Sequence, residues 1–529
     1  MLKLRENSLN WALKNINKFN DTYIFPKPFE FDVINENWEE VKRHLLELDV
    51  YSEGVRPYRT TVTPKSKLGF RISTQLDPLD SLLYTAIIYE LHSEIERARI
   101  DKNQNIVYSF RLSPQTDGTL FDVNFNWDSY KERAETLSNE DSYTCVIVTD
   151  IADFYPSIYL HNIETALREC IKISGKSAHA ETLINIIKAM HLNQTHKGIP
   201  VGPQFARPIA ELVLDQVDRV LIDNNYVYVR YVDDYIIFCK SEAEAYEKLA
   251  YLAQILYDLL NLKLNEQKTK MLDIYTFQEK FIKTSKEVER NSILDKFYEL
   301  IDELDISRNP YEDIDLDSLS EDEIEKLQEI NLVKLLEEEL EKEDADLPLI
   351  TFLLNNLARI DNTDVAEFIL RGESISKVYP KLKTIISYLE RVRSFNSEQK
   401  HFLGDKVLGL LDNSFIGPLE FNRAWILSLF IKNIEWDNEE ILIKLLKRYN
   451  DDFTKRKLFL ALGRAKNIRF FRENKNLTSS LNDWVKRSFI AGISCLPEDE
   501  RFPWYKARRL INRDFLEKVV EKWAENNHF

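Results

Sequence analysis

Three aspartates stand where a carboxylate is either costly or conspicuous. Asp150 closes the apolar run CVIVTD, where a charge is expensive to bury unless it is paired or binds metal. Asp233 and Asp234 lie between two strand-like runs, VYVRYV and YIIFC, and so read as the tip of a hairpin. Either site alone has an ordinary reading, since Asp favours turns and helix caps. Together they supply hard oxygen ligands suited to magnesium, which keeps several waters and shares phosphate oxygens with its substrate. The chemistry of such a cluster is in-line phosphoryl transfer, with two Mg2+ ions about 3.5–4 Å apart serving the attacking and leaving oxygens.

These carboxylates need a sheet to hold them. The segments 142–151, 226–232 and 235–239 are rich in β-branched and aromatic residues, and helices of mixed polarity separate them, such as HNIETALRECIKIS and FARPIAELVLDQVDRVLID. Upstream, the basic segment YRTTVTPKSKLGFRISTQ precedes the amphipathic run LDSLLYTAIIYELHSEIERARI, in a region read as mixed helix and loop. Beyond Tyr275 the strand signals fade and helix follows helix, among them LPLITFLLNNLARI and NEEILIKLLKRY, the latter opened by a capping pattern at 437–440. Their lengths resemble those of helical-pair repeats. The fold class read from this pattern is α+β, with residues 1–285 as one domain and an all-α, repeat-like domain over 286–529. The acidic stretch 302–346 falls near that boundary.

A chain of 529 residues exceeds the size of a single growing core, and 44% hydrophobic content supplies material for two or three. The formal charge of -17 argues against nucleic-acid binding only if it is spread evenly, and the acidic stretch 302–346 carries a large share of it. Cys145, Cys170, Cys239 and Cys495 are far apart with no zinc spacing, so they read as reduced core residues. The N-terminus has no signal-peptide pattern and no run approaches a membrane span, so the expected location is the cytoplasm, with no membrane partner.

DIADFY (150–155) resembles the first palm motif of reverse transcriptases, and YVDD (231–234) resembles their Tyr-x-Asp-Asp motif. Between them THKGIPVGPQFARPIAEL (195–212) is similar to the motif that supports template and incoming nucleotide. LNLKLNEQKTKM (260–271) resembles the Asn-x-x-Lys-Thr element that closes the palm. The resemblance covers roughly residues 60–275 and implies reverse-transcriptase-like fingers and palm. It implies that Asp150, Asp233 and Asp234 hold two Mg2+ ions, with Asp234 the most peripheral. Tyr155 would lie beneath the sugar of a deoxynucleoside triphosphate, and Lys268 near the leaving phosphate, although the residues alone allow a core tyrosine and a solvated lysine. Lys197 and Gly198 stand where many members have Gln-Gly, and Gly202 where a serine would follow. Lys65, Lys67 and Arg71 are candidates to grip the triphosphate, and Arg111 is a further nucleic-acid candidate; each also reads as an ordinary cation.

No thumb, RNase H or integrase pattern follows the palm. This layout resembles the abortive-infection and related defence-associated reverse transcriptases of bacteria. Within that group the resemblance implies antiphage function, homo-oligomers, a HEAT-like helical region and, in some members, untemplated DNA synthesis primed from a protein hydroxyl. The single-stranded DNA product is then covalently attached. Other relatives copy a partner non-coding RNA, and the sequence leaves both open. In RFPWYKARRLINR (501–513), Lys506, Arg508 and Arg509 interleave with aromatics, which suits either single-stranded product or an amphipathic helix docked on its neighbours.

Overall fold

A computed structural model describes residues 1–190, 196–283, 332–343, 345–412, 414–432, 434–436, 438–509 and 513–527, with isolated positions between 297 and 326. The boundary at 285/286, most of the acidic stretch, Asp437 of the capping pattern and residues 510–512 lie outside that description. The chain divides into two compact units: residues 1–60 with 73–286, and residues 61–72 with 287–529.

The first unit is built on a four-stranded antiparallel sheet. Its strands are β3 (Cys145–Asp150), β4 (Val227–Tyr231), β5 (Asp234–Cys239) and β6 (Lys270–Asp273), in the order β4-β5-β3-β6. The strand β6 was not read from the sequence, where its lysine and aspartate ends hide a single turn of alternation. Two earlier strands, β1 (Arg59–Pro64) and β2 (Phe70–Gln75), pair in the segment expected to be helix and loop. Thr, Val and Ile at alternating positions there favour extended backbone over the turn-forming Pro64 to Gly69 between them.

Alternation along the strands decides what the sheet buries. Val146, Val229, Ile236 and Phe238 share one face, and pack with Tyr130, Ala134 and Leu137 of the helix α1 (Trp127–Ser138). That helix starts at a capping box in which Asn126 and Ser129 satisfy each other's backbone. On the opposite face lie Tyr228, Arg230, Tyr235 and Ile237, all buried. There Tyr228 donates from Oη to Asp218 Oδ1 (3.0 Å) on the helix α2 (Ala206–Asp223). A third helix, α3 (Glu242–Leu260), begins at the Ser241 cap and stops where Asn261 turns left-handed at φ +53°.

The described residues of the second unit are helical and connecting segments apart from the hairpin tip 61–72. Its helices Leu347–Arg359, Leu382–Arg391, Glu420–Lys432, Asp452–Arg464, Asp483–Gly492 and Phe515–Asn526 each pack against the next of the series. Within this unit the Tyr379 hydroxyl donates to the Lys67 carbonyl. Among the described residues, no helix is long and apolar enough to cross a membrane.

Candidate active site

Strand register brings the three aspartates to one end of the sheet. Asp150, last in β3, is the antiparallel partner of Asp234, first in β5, and Tyr231 pairs with Asp234 from the other side. The sequence placed both Asp233 and Asp234 in the turn; the turn residues are instead Val232 and Asp233. Asp234 belongs to the strand, because Val232 takes up the left-handed step at φ +56° and pairing resumes one residue sooner. Asp233 reaches the same strand end, for its backbone carbonyl accepts from Ile151 N (3.1 Å). Burial, followed by the negative charges of Asp150 and Asp234, pushes the Asp233 carboxyl above the usual carboxylate range. An all-oxygen donor set whose members repel one another fits a hard divalent cation.

The Asn-x-x-Lys-Thr segment wraps the same strand end. Asn265 N donates to the Asp150 carbonyl (2.7 Å), Asn265 Nδ2 to its carboxylate (3.3 Å), and Thr269 shares a hydroxyl bond with Thr149 (2.7 Å). Lys268 Nζ donates to Asp150 Oδ2 at 2.6 Å. Burial opposes its charge, but Asp150 and then Asp234 and Asp233 outweigh it and hold the ammonium above the ordinary lysine value.

Tyr155 is half-buried, its ring edge-to-face on Phe154 (5.5 Å), and its carbonyl accepts from Ile199 N (2.9 Å). Burial raises its phenol pKa, against the opposing charge of Arg207; Glu211 and Asp233 are also felt there. Gly198 sits at φ +102° and donates to the Ile158 carbonyl (2.7 Å), which joins this motif to the strand-end loop. At Gly202 a side chain is excluded twice, by φ +130° and by the Thr74 carbonyl 2.3 Å from where a Cβ would stand. Lys197 extends over the Tyr159 ring (4.2 Å) and lowers that phenol's pKa, with Asn261 adding a 2.8 Å hydrogen bond.

Lys65, Lys67 and Arg71 belong to the second unit. Arg111 is corrected from nucleic-acid contact to structural cation: it is 1% exposed, pairs with Glu96 (3.1 Å) and donates to the Val107 and Ile100 carbonyls. Arg508 is corrected likewise, because it is buried on Glu517 and Glu521. Arg509 pairs with Glu525, whereas Lys506 is exposed. Elsewhere, Asp483, Asp514 and Glu517 hold ligand atoms within 4.8 Å of one another, but Lys486 pairs with two of them.

What sequence reading missed is the ion network beneath the turn. Arg230, fully buried in β4, binds Asp218 through Nε (2.9 Å) and Nη2 (2.5 Å), approaches Glu211 (3.1 Å), and donates from Nη1 to the Val232 carbonyl (2.7 Å). Glu211 also accepts from Arg99 (2.8 Å) and from the Ser109 hydroxyl (2.6 Å), which in turn accepts from Val232 N (2.9 Å). Both backbone groups of the strained turn residue are thereby fixed. An arginine inside the apolar run VYVRYV, with two acids seven residues apart in an apolar helical run, is the sequence signal that could have found it.

Residues 79–290 match the sequence profile of the family described as reverse transcriptase (RNA-dependent DNA polymerase), so the chain carries a reverse transcriptase domain, that of a nucleotidyltransferase. No curated protein shows a significant match to the chain. Among solved structures it is similar to the apo telomerase of Candida tropicalis, at 10% identity over 80% of this chain and 73% of that one, with a TM-score of 0.33. Telomerase of Candida albicans in complex with the TWJ fragment of telomeric RNA matches at 10% identity over 80% and 72%, with a TM-score of 0.28. A C. tropicalis telomerase truncated at its C-terminal domain matches at 12% identity over 45% of this chain, which spans 55% of that one, with a TM-score of 0.29.

Proposed function

We propose, with a reverse transcriptase domain as the premise, that the chain is a DNA polymerase that joins deoxynucleotides by two-metal phosphoryl transfer in antiphage defence, starting its strands on its own side chain. The observation that carries the chemistry is the pairing of Asp150 with Asp234 across β3 and β5, with Asp233 in the turn between β4 and β5. In this reading Asp150 and Asp233 are the principal Mg2+ ligands and Asp234 is peripheral. Magnesium, when bound, supplies the positive charge that the attacking and leaving oxygens require. Lys268, now on Asp150, is the proton donor or charge partner for the leaving phosphate. Tyr155 excludes a 2′-hydroxyl, and Gly198 lets the backbone approach the nucleotide. The missing thumb pattern and the glycine-rich motif without its serine support priming from the protein, as does the resemblance to abortive-infection enzymes.

A second reading, RNA-templated synthesis with a non-coding RNA, is favoured by the matched family's own description as RNA-dependent. The two share their metal chemistry, so one variant tests both. Asp233→Ala combined with Asp234→Ala is expected to reduce incorporation of labelled deoxynucleotide to background and to abolish protection in a phage plating assay. Circular dichroism should be unchanged, since both residues are only partly buried. Incorporation retained by the folded double variant would refute the metal assignment.

A further inference from the structure

A cavity of about 350 Å³ lies in the first unit, lined among others by Tyr23, Phe110, Phe121, Gln204, Arg207 and Tyr231. Tyr231, which lines it, is the antiparallel partner of Asp234, and this pairing links the cavity to the carboxylate end of the sheet. Arg207 is held between two rings, 4.5 Å from the centre of Tyr23 and 5.0 Å from that of Phe110. Its guanidinium is half-buried, yet it has no hydrogen-bond acceptor among the described residues. A planar fork with five donors in that position is open to a ligand that supplies adjacent acceptors. Asp122, the carboxylate that lines the cavity, is already paired with Lys102 (3.1 Å).

Phe110 adds an independent sign of a built site. It stands at φ +47°, a conformation unfavourable for a bulky side chain, and Arg99 fixes it there by donating to the Phe110 carbonyl (2.8 Å) and the Ser109 carbonyl (3.0 Å). Backbone strain of this kind is characteristic of ligand clamps. The ring it positions lies 5.1 Å from Phe121 and 6.3 Å from Tyr231. Flat apolar walls with one stacked cation suit a flat aromatic ligand bearing adjacent acceptors, and a lone arginine among rings is a poor cage for a bare phosphate.

We propose that this cavity binds a nucleobase of the DNA under synthesis, stacked on the Tyr23, Phe110 and Tyr231 side and read along its edge by Arg207 and Gln204. The protein then supplies contacts that a template base supplies in templated synthesis, which rests on the untemplated polymerase reading above. Two sources present this chemistry: the incoming deoxynucleotide and the end of the growing strand. An arginine fork pairs best with adjacent acceptors such as guanine O6 and N7, so base preference is expected to be uneven.

The test uses the full-length protein and two probes. Fluorescent homopolymeric oligodeoxynucleotides report strand-end binding by anisotropy, and the four deoxynucleoside triphosphates report substrate binding by calorimetry. Arg207→Ala removes the fork; Phe110→Gly removes the ring and relieves the positive φ. Each variant is expected to weaken one probe about tenfold or more, the size of one lost bidentate pairing, and to flatten the preference among bases. Loss confined to the oligonucleotides identifies the strand end, and loss confined to the triphosphates identifies the incoming base. Wild-type affinity and base preference for both probes in both variants would overturn the site, as would a wild-type protein that binds neither. Failure of the polymerase reading is distinguishable, because it would leave binding intact and incorporation absent in the unmodified chain.

Discussion

At the scale of single residues, environment rather than residue type separates function from scaffold. Tyr155 is only half-buried beside the carboxylate turn, and in the proposed reading its ring occupies the space a ribose 2′-hydroxyl would need. Tyr155→Val is therefore expected to raise ribonucleotide use relative to deoxynucleotide by about tenfold or more, read as the ratio of kcat/KM values; an unchanged ratio would make the ring a packing element. Asp21 shows the opposite relation. Its buried carboxyl accepts from Gln75 (3.2 Å), leaves Oδ1 without a partner, and faces the buried Glu30. Burial pushes its pKa up to about 7, above its value in the unfolded chain, so the folded state favours the protonated form. Stability from this group is fully present below about pH 4 and is lost as pH rises through 7. Asp21→Asn is expected to gain on the wild type by on the order of 1–3 kcal/mol between pH 5 and pH 8, measured by urea denaturation. A gap that does not change with pH would show that Asp21 does not titrate in this range. Neither the depth of Asp21 nor that of Arg111 was legible in the sequence, because each lies in a polar-looking stretch whose burial is set by distant segments.

At the scale of elements, the hairpin between β4 and β5 was readable because two strongly β-prone runs flank a short acidic interval. Its register was not, since a β-branched Val232 at positive φ runs against local preference. The preference is overridden from below: Ser109 and Arg230 satisfy the amide and carbonyl of Val232, and Glu211 and Asp218 neutralise Arg230. Arg230→Met would leave two buried carboxylates short of a counter-charge and free the Val232 carbonyl. Such a loss costs about 3–5 kcal/mol. Incorporation should fall by more than the folded fraction explains, because the turn that carries Asp233 loses its support. Activity in proportion to folded protein would confine the network to stability. The strands β1 and β2 were hidden for a different reason: a basic, proline-containing segment carries little hydrophobic periodicity, and pairing of its two halves is a non-local fact.

At the scale of the whole molecule, the mixed first half and helical second half were legible from the change of period near Tyr275. The assignment of the hairpin tip 61–72 to the helical unit was not, because sequence distance says nothing about such a return of the chain. The largest remaining claim also belongs to this scale, namely how a strand begins. A polymerase that extends a duplex needs a surface that grips duplex backbone, and no thumb pattern follows the palm motifs. If the attacking hydroxyl comes from the protein, a tyrosine phenol suits the task, because it is carried on a rigid arm and metal-assisted deprotonation makes it a nucleophile. Its oxygen attacks the α-phosphorus of a deoxynucleoside triphosphate, pyrophosphate leaves, and the first nucleotide remains as a phosphodiester on the enzyme. The chain has 24 tyrosines. Purified protein incubated with Mg2+ and labelled deoxynucleotide, without added nucleic acid, is therefore expected to carry label that survives denaturation and is released by nuclease. Peptide mass spectrometry should then find one nucleotide-bearing tyrosine, and its replacement by Phe should abolish the adduct while a supplied primer is still extended. Label that migrates free of protein, or that appears only when RNA is added, would instead assign the chain to RNA-templated synthesis.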